Sequence, residues 1–216
     1  MLLGNLRKDI CQYSQKMLID KLVVGPFGNI SAREGDMITI TPSGMDYEDL
    51  EPEDIVVLDL GGRSIEGDLK PSSELAMHTY IYEARPDIQA IVHTHSTYAT
   101  ALACLGRGIP VFHYVVVLLG GAVPLARYAT YGTKALAENV LNALGKTHKV
   151  AILENHGAIA VDKTVKEAYQ SAVVLEHVAE IYLKAQAIGE PTILSPHQIE
   201  EVKRQFKSYG QAKPKS

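Results

Sequence analysis

Apolar residues recur three and four positions apart in six stretches of the chain, which is the spacing of amphipathic helices. The first stretch begins at Leu6 and continues through Ile10 and Tyr13, and the Gly25-Pro26 pair ends it. The other predicted helices run from Leu75 to before Pro86, over 98–105, from after Gly132 to 144, over about 164–188, and over 195–209.

Short β-branched or apolar runs bounded by turn residues predict strands between these helices, over 30–33, 37–41, 55–60, 90–95, 150–153 and 158–161. The most apolar stretch is 111–119. Several adjacent strands have short links, so we expect a mixed or antiparallel sheet between helical layers. With no internal repeat or interdomain linker, the pattern predicts one α/β domain over 1–211 and a frayed tail over 212–216.

Composition mainly excludes classes of function. The 216 residues include 21 Lys and Arg against 25 Asp and Glu, a net charge of −4, so we expect neither nucleic acid nor an anionic membrane as partner. The apolar run 115–119 is far shorter than the ~20 residues of a membrane span, and the N-terminus lacks a signal-peptide core. We therefore expect a cytoplasmic protein, with Cys11 and Cys104 reduced, buried and inert.

Three histidines form a candidate metal site. His93 and His95 are two positions apart at a strand end, so both side chains point to one face and can converge on one ion. His156 lies where another predicted strand ends. Three neutral imidazoles leave the fourth position of a tetrahedral zinc open, as catalysis requires. The alternative is that these are ordinary hydrogen-bonded histidines at strand ends.

Glu74 follows two serines at a predicted helix start, where it serves either as a helix cap or as a base beside a metal. Three short pairs in loops offer hydroxyls and exposed N–H groups that could cradle a phosphate if they converge. Each pair taken alone is an ordinary turn. The pairs are Gly28-Asn29, Ser43-Gly44 and Ser72-Ser73.

The motifs together resemble the class II aldolase/adducin family, in order and spacing over nearly the whole chain. They are GNIS from Gly28, TPSG from Thr41, KPSSE from Lys70, HTHS from His93, HYVVVLLGG from His113, YATYGT from Tyr128 and ENHG from Glu154. The resemblance implies a single three-layer α/β/α domain with a largely antiparallel or mixed sheet. It also implies a homotetramer with sites at subunit interfaces. One departure is Pro26-Phe27, where relatives commonly have small or hydroxyl residues.

The resemblance also implies roles for individual residues. His93, His95 and His156 would bind one Zn²⁺ per subunit, and Glu74 would transfer the substrate proton. The three loop pairs would bind the substrate phosphate. Tyr114 would reach a neighbouring subunit's site as a proton donor, and Tyr209 would contribute from the C-terminal tail. We interpret His78 as a packing or surface residue, and Tyr128 and Tyr131 as structural or interface aromatics.

The implied reaction is zinc-dependent cleavage of a ketose 1-phosphate through a metal-stabilised enediolate. L-Fuculose 1-phosphate is the favoured substrate, and the products would be dihydroxyacetone phosphate and a short aldehyde, lactaldehyde. The alternatives on the same fold are a pentulose-5-phosphate 4-epimerase and a methylthioribulose-1-phosphate dehydratase. Epimerases usually have an aspartate at the position of Glu74, which favours the aldolase. A non-catalytic adducin-like interaction module lacks the zinc histidines, which are all present in this chain.

Overall fold

The computed structural model describes residues 1–209, so the tail predicted to fray over 212–216 lies outside the described residues. Within 1–209 the six helices predicted from the apolar spacing are all formed. They are α1 (Gly4–Ile19), α2 (Leu75–Ala84), α3 (Thr97–Cys104), α4 (Lys134–Leu144), α5 (Val165–Ile188) and α6 (Pro196–Phe206).

Several helix starts follow from local sequence. Ser195 accepts a hydrogen bond from the Gln198 N–H, and the Gln198 side chain accepts one from the Ser195 N–H, which makes a capping box before Pro196. The hydroxyls of Thr133 and Thr164 accept backbone N–H groups at the starts of α4 and α5. These side chains satisfy N–H groups that the helices themselves cannot pair.

One sheet runs through residues 1–209, with strand order β4-β3-β2-β1-β5-β8-β7-β6. All neighbouring pairs are antiparallel except β6 with β7, which is parallel, and this confirms the largely antiparallel or mixed sheet. The strands are β1 (Asn29–Glu34), β2 (Met37–Ile40), β3 (Val56–Asp59), β4 (Ser64–Glu66), β5 (Ala90–Thr94), β6 (Leu125–Ala126), β7 (Val150–Leu153) and β8 (Gly157–Asp162).

Alternation along the central strands divides the core between the two faces of the sheet. On β5, Val92 packs with the residues of α1, α3 and α5, whereas its neighbour Ile91 packs with those of α2 and α4. Ala160 and Ile159 on β8 divide in the same way. Because successive side chains of a strand point to opposite faces, these helices form two layers around the sheet, an α/β/α domain.

The structure also contains short elements that the sequence pattern did not predict. β4 is a three-residue strand with two exposed residues, and β6 has only two residues, so neither gives a clear periodicity. The apolar stretch 111–119, for which no element was predicted, contains a 3₁₀ helix, Tyr114–Leu119. Cys11 is buried as expected, but Cys104 is exposed, which corrects the expectation of two buried thiols. No helix within 1–209 is long and apolar enough to cross a membrane.

Candidate active site

A cleft of about 490 Å³ opens where β1, β5 and β8 meet the start of α2. Its walls include Glu74, His95 and His156, and His93 lies fully buried beside them. β1 pairs with β5 so that Asn29 lies opposite His93, and β8 pairs with β5 on the other side. The pairing of these strands thus brings together residues that are far apart in sequence, such as Asn29 and His156, which are 127 positions apart.

The three imidazoles converge as their spacing predicts. The Nε2 atoms of His93 and His95 are 2.9 Å apart, and the ring centre of His156 lies 4.8 Å from that of His93 and 5.0 Å from that of His95. His93 Nδ1 donates to the carbonyl oxygen of Ala158 at 2.9 Å. This bond requires a proton on Nδ1, so in its neutral form His93 presents the Nε2 lone pair to the group.

Glu74 completes the group from the start of α2. It occupies the N-cap position of α2, and its side chain makes no capping hydrogen bond there but turns towards the histidines. Its Oε2 accepts from Asn29 Nδ2 at 2.9 Å and lies 3.1 Å from His93 Nε2. Its Oε1 lies 3.4 Å from His156 Nε2 and is buried without a hydrogen-bond partner.

The charges of this group follow from burial and from mutual contact. Burial favours the neutral acid, yet the adjacent imidazole of His93 holds the pKa of Glu74 well below its ordinary value. Burial opposes a charge on His93, but the Glu74 carboxylate raises its pKa. Burial lowers the pKa of His95 to about 3 and that of His156 to about 4. His95 and His156 are therefore neutral near pH 7, the form that binds metals.

The loop pairs proposed to bind phosphate lie together along the cleft. The Ser43 N–H donates to the Lys70 carbonyl at 2.9 Å and the Ser72 N–H donates to the Thr41 carbonyl at 3.1 Å, so two of the loops are joined. Ser72 is buried, and its hydroxyl accepts from the Glu74 N–H. The cleft is lined by all six residues, Gly28, Asn29, Ser43, Gly44, Ser72 and Ser73.

Tyr114 and Tyr209 lie elsewhere in the subunit. Together with Phe206 they line a separate apolar groove between the 3₁₀ helix and α6. Tyr114 is 52% exposed and stacks on Phe206, with ring centres 6.0 Å apart. Neither tyrosine lines the cleft of its own chain.

Comparison with known proteins gives the family. Residues 8–183 match the model of the Class II Aldolase and Adducin N-terminal domain. The chain belongs to the class II aldolase family. It is 42% identical to a 5-deoxy-D-ribulose 1-phosphate aldolase of Bacillus thuringiensis serovar kurstaki, over 98% of this chain and 100% of that protein.

Two further relatives agree with this class II aldolase assignment. A 5-methylthioribulose-1-phosphate/5-deoxyribulose-1-phosphate aldolase of Rhodospirillum rubrum is 43% identical over 95% of this chain and 92% of that protein. A solved L-fuculose 1-phosphate aldolase superposes with a TM-score of 0.91 at 38% identity, over 96% of this chain and 98% of that one. The protein is therefore a metal-dependent lyase of the aldolase type.

The residues of this class II aldolase fit a divalent ion. One nitrogen of each histidine and one oxygen of Glu74 all lie within 4.8 Å of one another. Two Nε2 atoms facing each other at 2.9 Å and an unpartnered buried carboxylate oxygen are an arrangement that a cation would satisfy. The hydrogen bond from His93 Nδ1 to a carbonyl is typical of a metal-binding histidine.

The aldolase's cleft is also lined by residues to which the sequence assigned no catalytic or binding role. Phe27 is 60% exposed and lies nearly parallel to the His95 ring, with ring centres 6.1 Å apart. Tyr128, Tyr131 and Asn155 also line the cleft. Tyr128 and Tyr131 lie within the motif YATYGT and Asn155 lies within ENHG, so membership of these motifs was the sequence signal available for them.

His78 also has more partners than a packing residue requires. It is fully buried on α2, with one ring nitrogen bonded to Asn29 and the other to Ser31. Burial lowers the pKa of His78 to about 3, so the ring is neutral.

Proposed function

We propose that this class II aldolase cleaves a 1-phosphorylated deoxyketose into dihydroxyacetone phosphate and a short aldehyde, with L-fuculose 1-phosphate as the first candidate substrate. The supporting observation is the arrangement of the cleft. A loop region of neutral donors lies at one side, and Glu74 with the three histidines lies at the other. A phosphorylated ketose could therefore place its phosphate and its reacting carbons in one cavity.

The proposed metal is Zn²⁺, one per subunit, held by His93, His95 and His156. Imidazole ligands favour zinc over Mg²⁺ or Ca²⁺, which prefer oxygen. When bound, the ion would supply Lewis-acid stabilisation of the negative charge that develops as the carbon–carbon bond breaks. The remaining steps belong to the side chains and the substrate.

Glu74 is proposed to transfer the proton at the carbon that becomes C3 of dihydroxyacetone phosphate. In the condensation direction the Glu74 carboxylate would remove a proton from C3, whose electron pair forms the C3–C4 bond to the aldehyde carbon, while the phenol of Tyr114 from a neighbouring subunit would donate its proton to the aldehyde oxygen. Cleavage is the reverse: the C3–C4 bond breaks, Glu74 returns the proton to C3, and Tyr114 takes the proton of the C4 hydroxyl. Between turnovers the two residues exchange protons with water, so one proton is lost at C4 and one is gained at C3.

The phosphate is proposed to bind at the joined loops. Ser43, Gly44 and Ser73 are exposed there, with no lysine or arginine among the residues of 1–209 that line the cleft. Hydroxyls and backbone N–H groups suffice for a phosphate when several converge, since each bond to an anion is charge-assisted. Asn29 keeps its assignment as a phosphate ligand, although its side chain already contacts Glu74 and His78.

A second candidate substrate is 5-deoxyribulose 1-phosphate. The Bacillus thuringiensis and Rhodospirillum rubrum relatives are named as aldolases for it. Phe27, Tyr128 and Ala129 give the cleft an apolar side. Both candidate substrates end in a methyl group, which would lie more favourably against such a surface than a terminal hydroxyl would.

The active form is proposed to be a homotetramer with sites at the subunit interfaces. The apolar groove that holds Tyr114 is exposed in the single subunit, and Leu118 and Tyr209 extend it. An exposed apolar groove that contains a predicted catalytic tyrosine supports contact with a second copy at this place.

The deciding experiment follows aldehyde release from a panel of ketose phosphates. Purified protein is incubated with L-fuculose 1-phosphate, 5-deoxyribulose 1-phosphate and ribulose 1-phosphate, with and without a chelator followed by Zn²⁺. We expect release from the two deoxy substrates, loss of activity on chelation and recovery with Zn²⁺. If ribulose 1-phosphate is cleaved as efficiently, the deoxyketose preference is wrong. Isomerisation at C4 of a pentulose 5-phosphate without aldehyde release would favour the epimerase.

A further inference from the structure

Behind Glu74, five buried polar side chains from α2 and β1 alternate in a row. Glu74, His78 and Tyr82 are four positions apart along the helix, and Asn29 and Ser31 are two positions apart along the strand. Four residues of an α-helix rise about 6.0 Å and two residues of a strand about 6.8 Å, so the two spacings match. The side chains can therefore interleave between the helix and the sheet.

Hydrogen bonds connect the row from end to end. The Ser31 hydroxyl lies 2.7 Å from the Tyr82 hydroxyl and 2.6 Å from His78 Nδ1. His78 Nε2 lies 2.5 Å from Asn29 Oδ1, and Asn29 Nδ2 lies 2.9 Å from Glu74 Oε2. Each of these five residues is buried, so water does not compete for their bonds.

The direction of each bond follows from the carboxylate. A carboxylate accepts only, so Asn29 must turn its NH₂ group to Glu74 and its oxygen to His78. His78 Nε2 then carries the ring proton and donates it. Its Nδ1 is left as an acceptor for the Ser31 hydroxyl, and Ser31 in turn accepts from the Tyr82 hydroxyl. Burial raises the pKa of Tyr82, which keeps its hydroxyl protonated and able to donate.

We infer that His78 is a positioning residue, which fixes the amide of Asn29 and through it the orientation of the Glu74 carboxylate. The inference rests on the proposed role of Glu74 in proton transfer. Apolar side chains at these positions would suit a buried helix–sheet contact, whereas each polar group costs free energy unless it is paired. A fully paired row admits a single arrangement, which leaves Oε1 of Glu74 free while Oε2 is held.

The first test reads the ring of His78 directly, whatever substrate the enzyme uses. ¹⁵N NMR of protein carrying ring-labelled histidine is recorded near pH 7, with His78 assigned by its absence from His78→Gln. We expect a neutral ring with the proton on Nε2, both with Zn²⁺ bound and after its removal. A ring protonated on Nδ1 only, or a charged ring, would overturn the inference.

The second test separates positioning from stability. His78→Phe keeps a flat ring but cannot donate to Asn29, and its kcat should fall about 10–100-fold, the usual loss for a residue that orients a ligand or base. KM and the zinc content should stay within about twofold of wild type. His78→Gln places an amide N–H where Nε2 lies and an acceptor for Ser31, so it should recover most of the lost kcat.

Tyr169→Phe is the matched control, because it also removes a side-chain hydrogen bond, the one from the Tyr169 hydroxyl to Asp20. Tyr169 lies on α5, outside the cleft. It should lower stability without lowering kcat per zinc-loaded site. If His78→Phe does not fold, Ser31→Ala tests the same row of hydrogen bonds. We expect a smaller fall in kcat, and we expect the His78 ring to populate the Nδ1-protonated form as well, because Ser31 no longer donates to Nδ1.

The outcomes separate this inference from the proposed function. The positioning role would be overturned if His78→Phe had the same kcat as wild type. It would also be overturned if His78→Gln lost as much kcat as His78→Phe does. If the wild-type protein cleaves no ketose phosphate, the proposed function fails. In that case the NMR result alone decides whether the hydrogen-bonded row exists as described.

Discussion

Glu74 shows how the surroundings of one residue can give its two oxygens different roles. Oε2 is held by Asn29 and lies near His93, whereas Oε1 is buried without a hydrogen-bond partner. An unpaired carboxylate oxygen in a buried position costs free energy unless something binds it. Oε1 is therefore the atom available to a cation or to a substrate proton.

Glu74→Gln tests this residue with little change in size. The amide cannot take up or release the proton, so turnover should fall about 10²–10⁴-fold, as is typical when a general base is lost. The three histidines remain, so zinc content measured by metal analysis should stay at one per chain. The control is Glu83→Gln, the same change on the exposed side of α2, which should leave turnover unchanged. Near-normal turnover in Glu74→Gln would remove the proton-transfer role.

Gly28→Ala tests the close approach of the backbone to His93. Gly28 has φ +90°, and a Cβ there would lie 2.7 Å from both the His93 carbonyl oxygen and Val23 Cγ1. We expect a loss of at least about 1–3 kcal/mol in the free energy of unfolding, from strained backbone conformation and contact together, and a lower affinity for zinc.

Gly25→Ala is the control for the part of this loss that comes from the strained backbone conformation alone. Gly25 has φ +57°, and a Cβ there would meet nothing within 4 Å. It should cost only about 1 kcal/mol and leave zinc affinity unchanged. Denaturant unfolding and zinc titration measure both effects. Equal zinc affinities in the two variants would contradict the argument from contact.

At the scale of elements, two connected loops support the start of α2. The bonds from the Ser43 N–H to Lys70 and from the Ser72 N–H to Thr41 hold them together, and Ser73 is exposed at their edge. The hydroxyl of Ser72 is occupied by the Glu74 N–H, which leaves the hydroxyl of Ser73 available to a ligand. The loops thus combine a structural serine and a candidate binding serine.

Ser73→Ala should raise KM for the phosphorylated ketose more than it lowers kcat, because much of the phosphate binding is shared by the ground and transition states. Steady-state kinetics measures both constants. The unphosphorylated ketose should be a far poorer substrate and insensitive to the substitution. Ser64→Ala, on exposed β4, is the control. If phosphorylated and free ketoses gave the same catalytic efficiency, the phosphate assignment of this region would be lost.

At the scale of the whole molecule, the cleft and the groove that holds Tyr114 are separate places on one subunit. The cleft contains Glu74 and two of the histidines, and the groove contains the predicted proton donor. If Tyr114 acts as proposed, a complete site combines residues of two subunits. This is a consequence of the geometry together with the proposed role of Tyr114.

Mixing Tyr114→Phe subunits with Glu74→Gln subunits should restore part of the activity that each variant lacks. In a mixed oligomer some sites combine an intact Glu74 with an intact Tyr114 from the neighbour. Subunits are co-expressed with two different tags, and doubly purified oligomers are assayed for aldehyde release. Absence of any recovery in such verified mixed oligomers would count against a shared site.

Much of this architecture was predictable from local pattern. The helix that begins at Ser195 was readable from its capping residue, and the faces of β5 and β8 follow from alternation. β4 and β6 were not predicted because each is too short to show a hydrophobic period. The 3₁₀ helix Tyr114–Leu119 was not predicted because a uniformly apolar run shows no period either. Such segments take their form from the neighbours against which they pack.

The candidate site, too, was predictable in part from local sequence and in part only from tertiary contacts. The sequence by itself predicted the candidate metal-binding residues, because HTHS and ENHG place imidazoles at the ends of strands. It also determined the class of fold, through periodicity. Only the tertiary structure decided that the Glu74 side chain contacts Asn29 and the histidines instead of capping α2, and that His78 is bonded at both ring nitrogens. The physical reason is that a hydrogen bond depends on distance and direction between side chains, and strand pairing sets these between residues far apart in the chain.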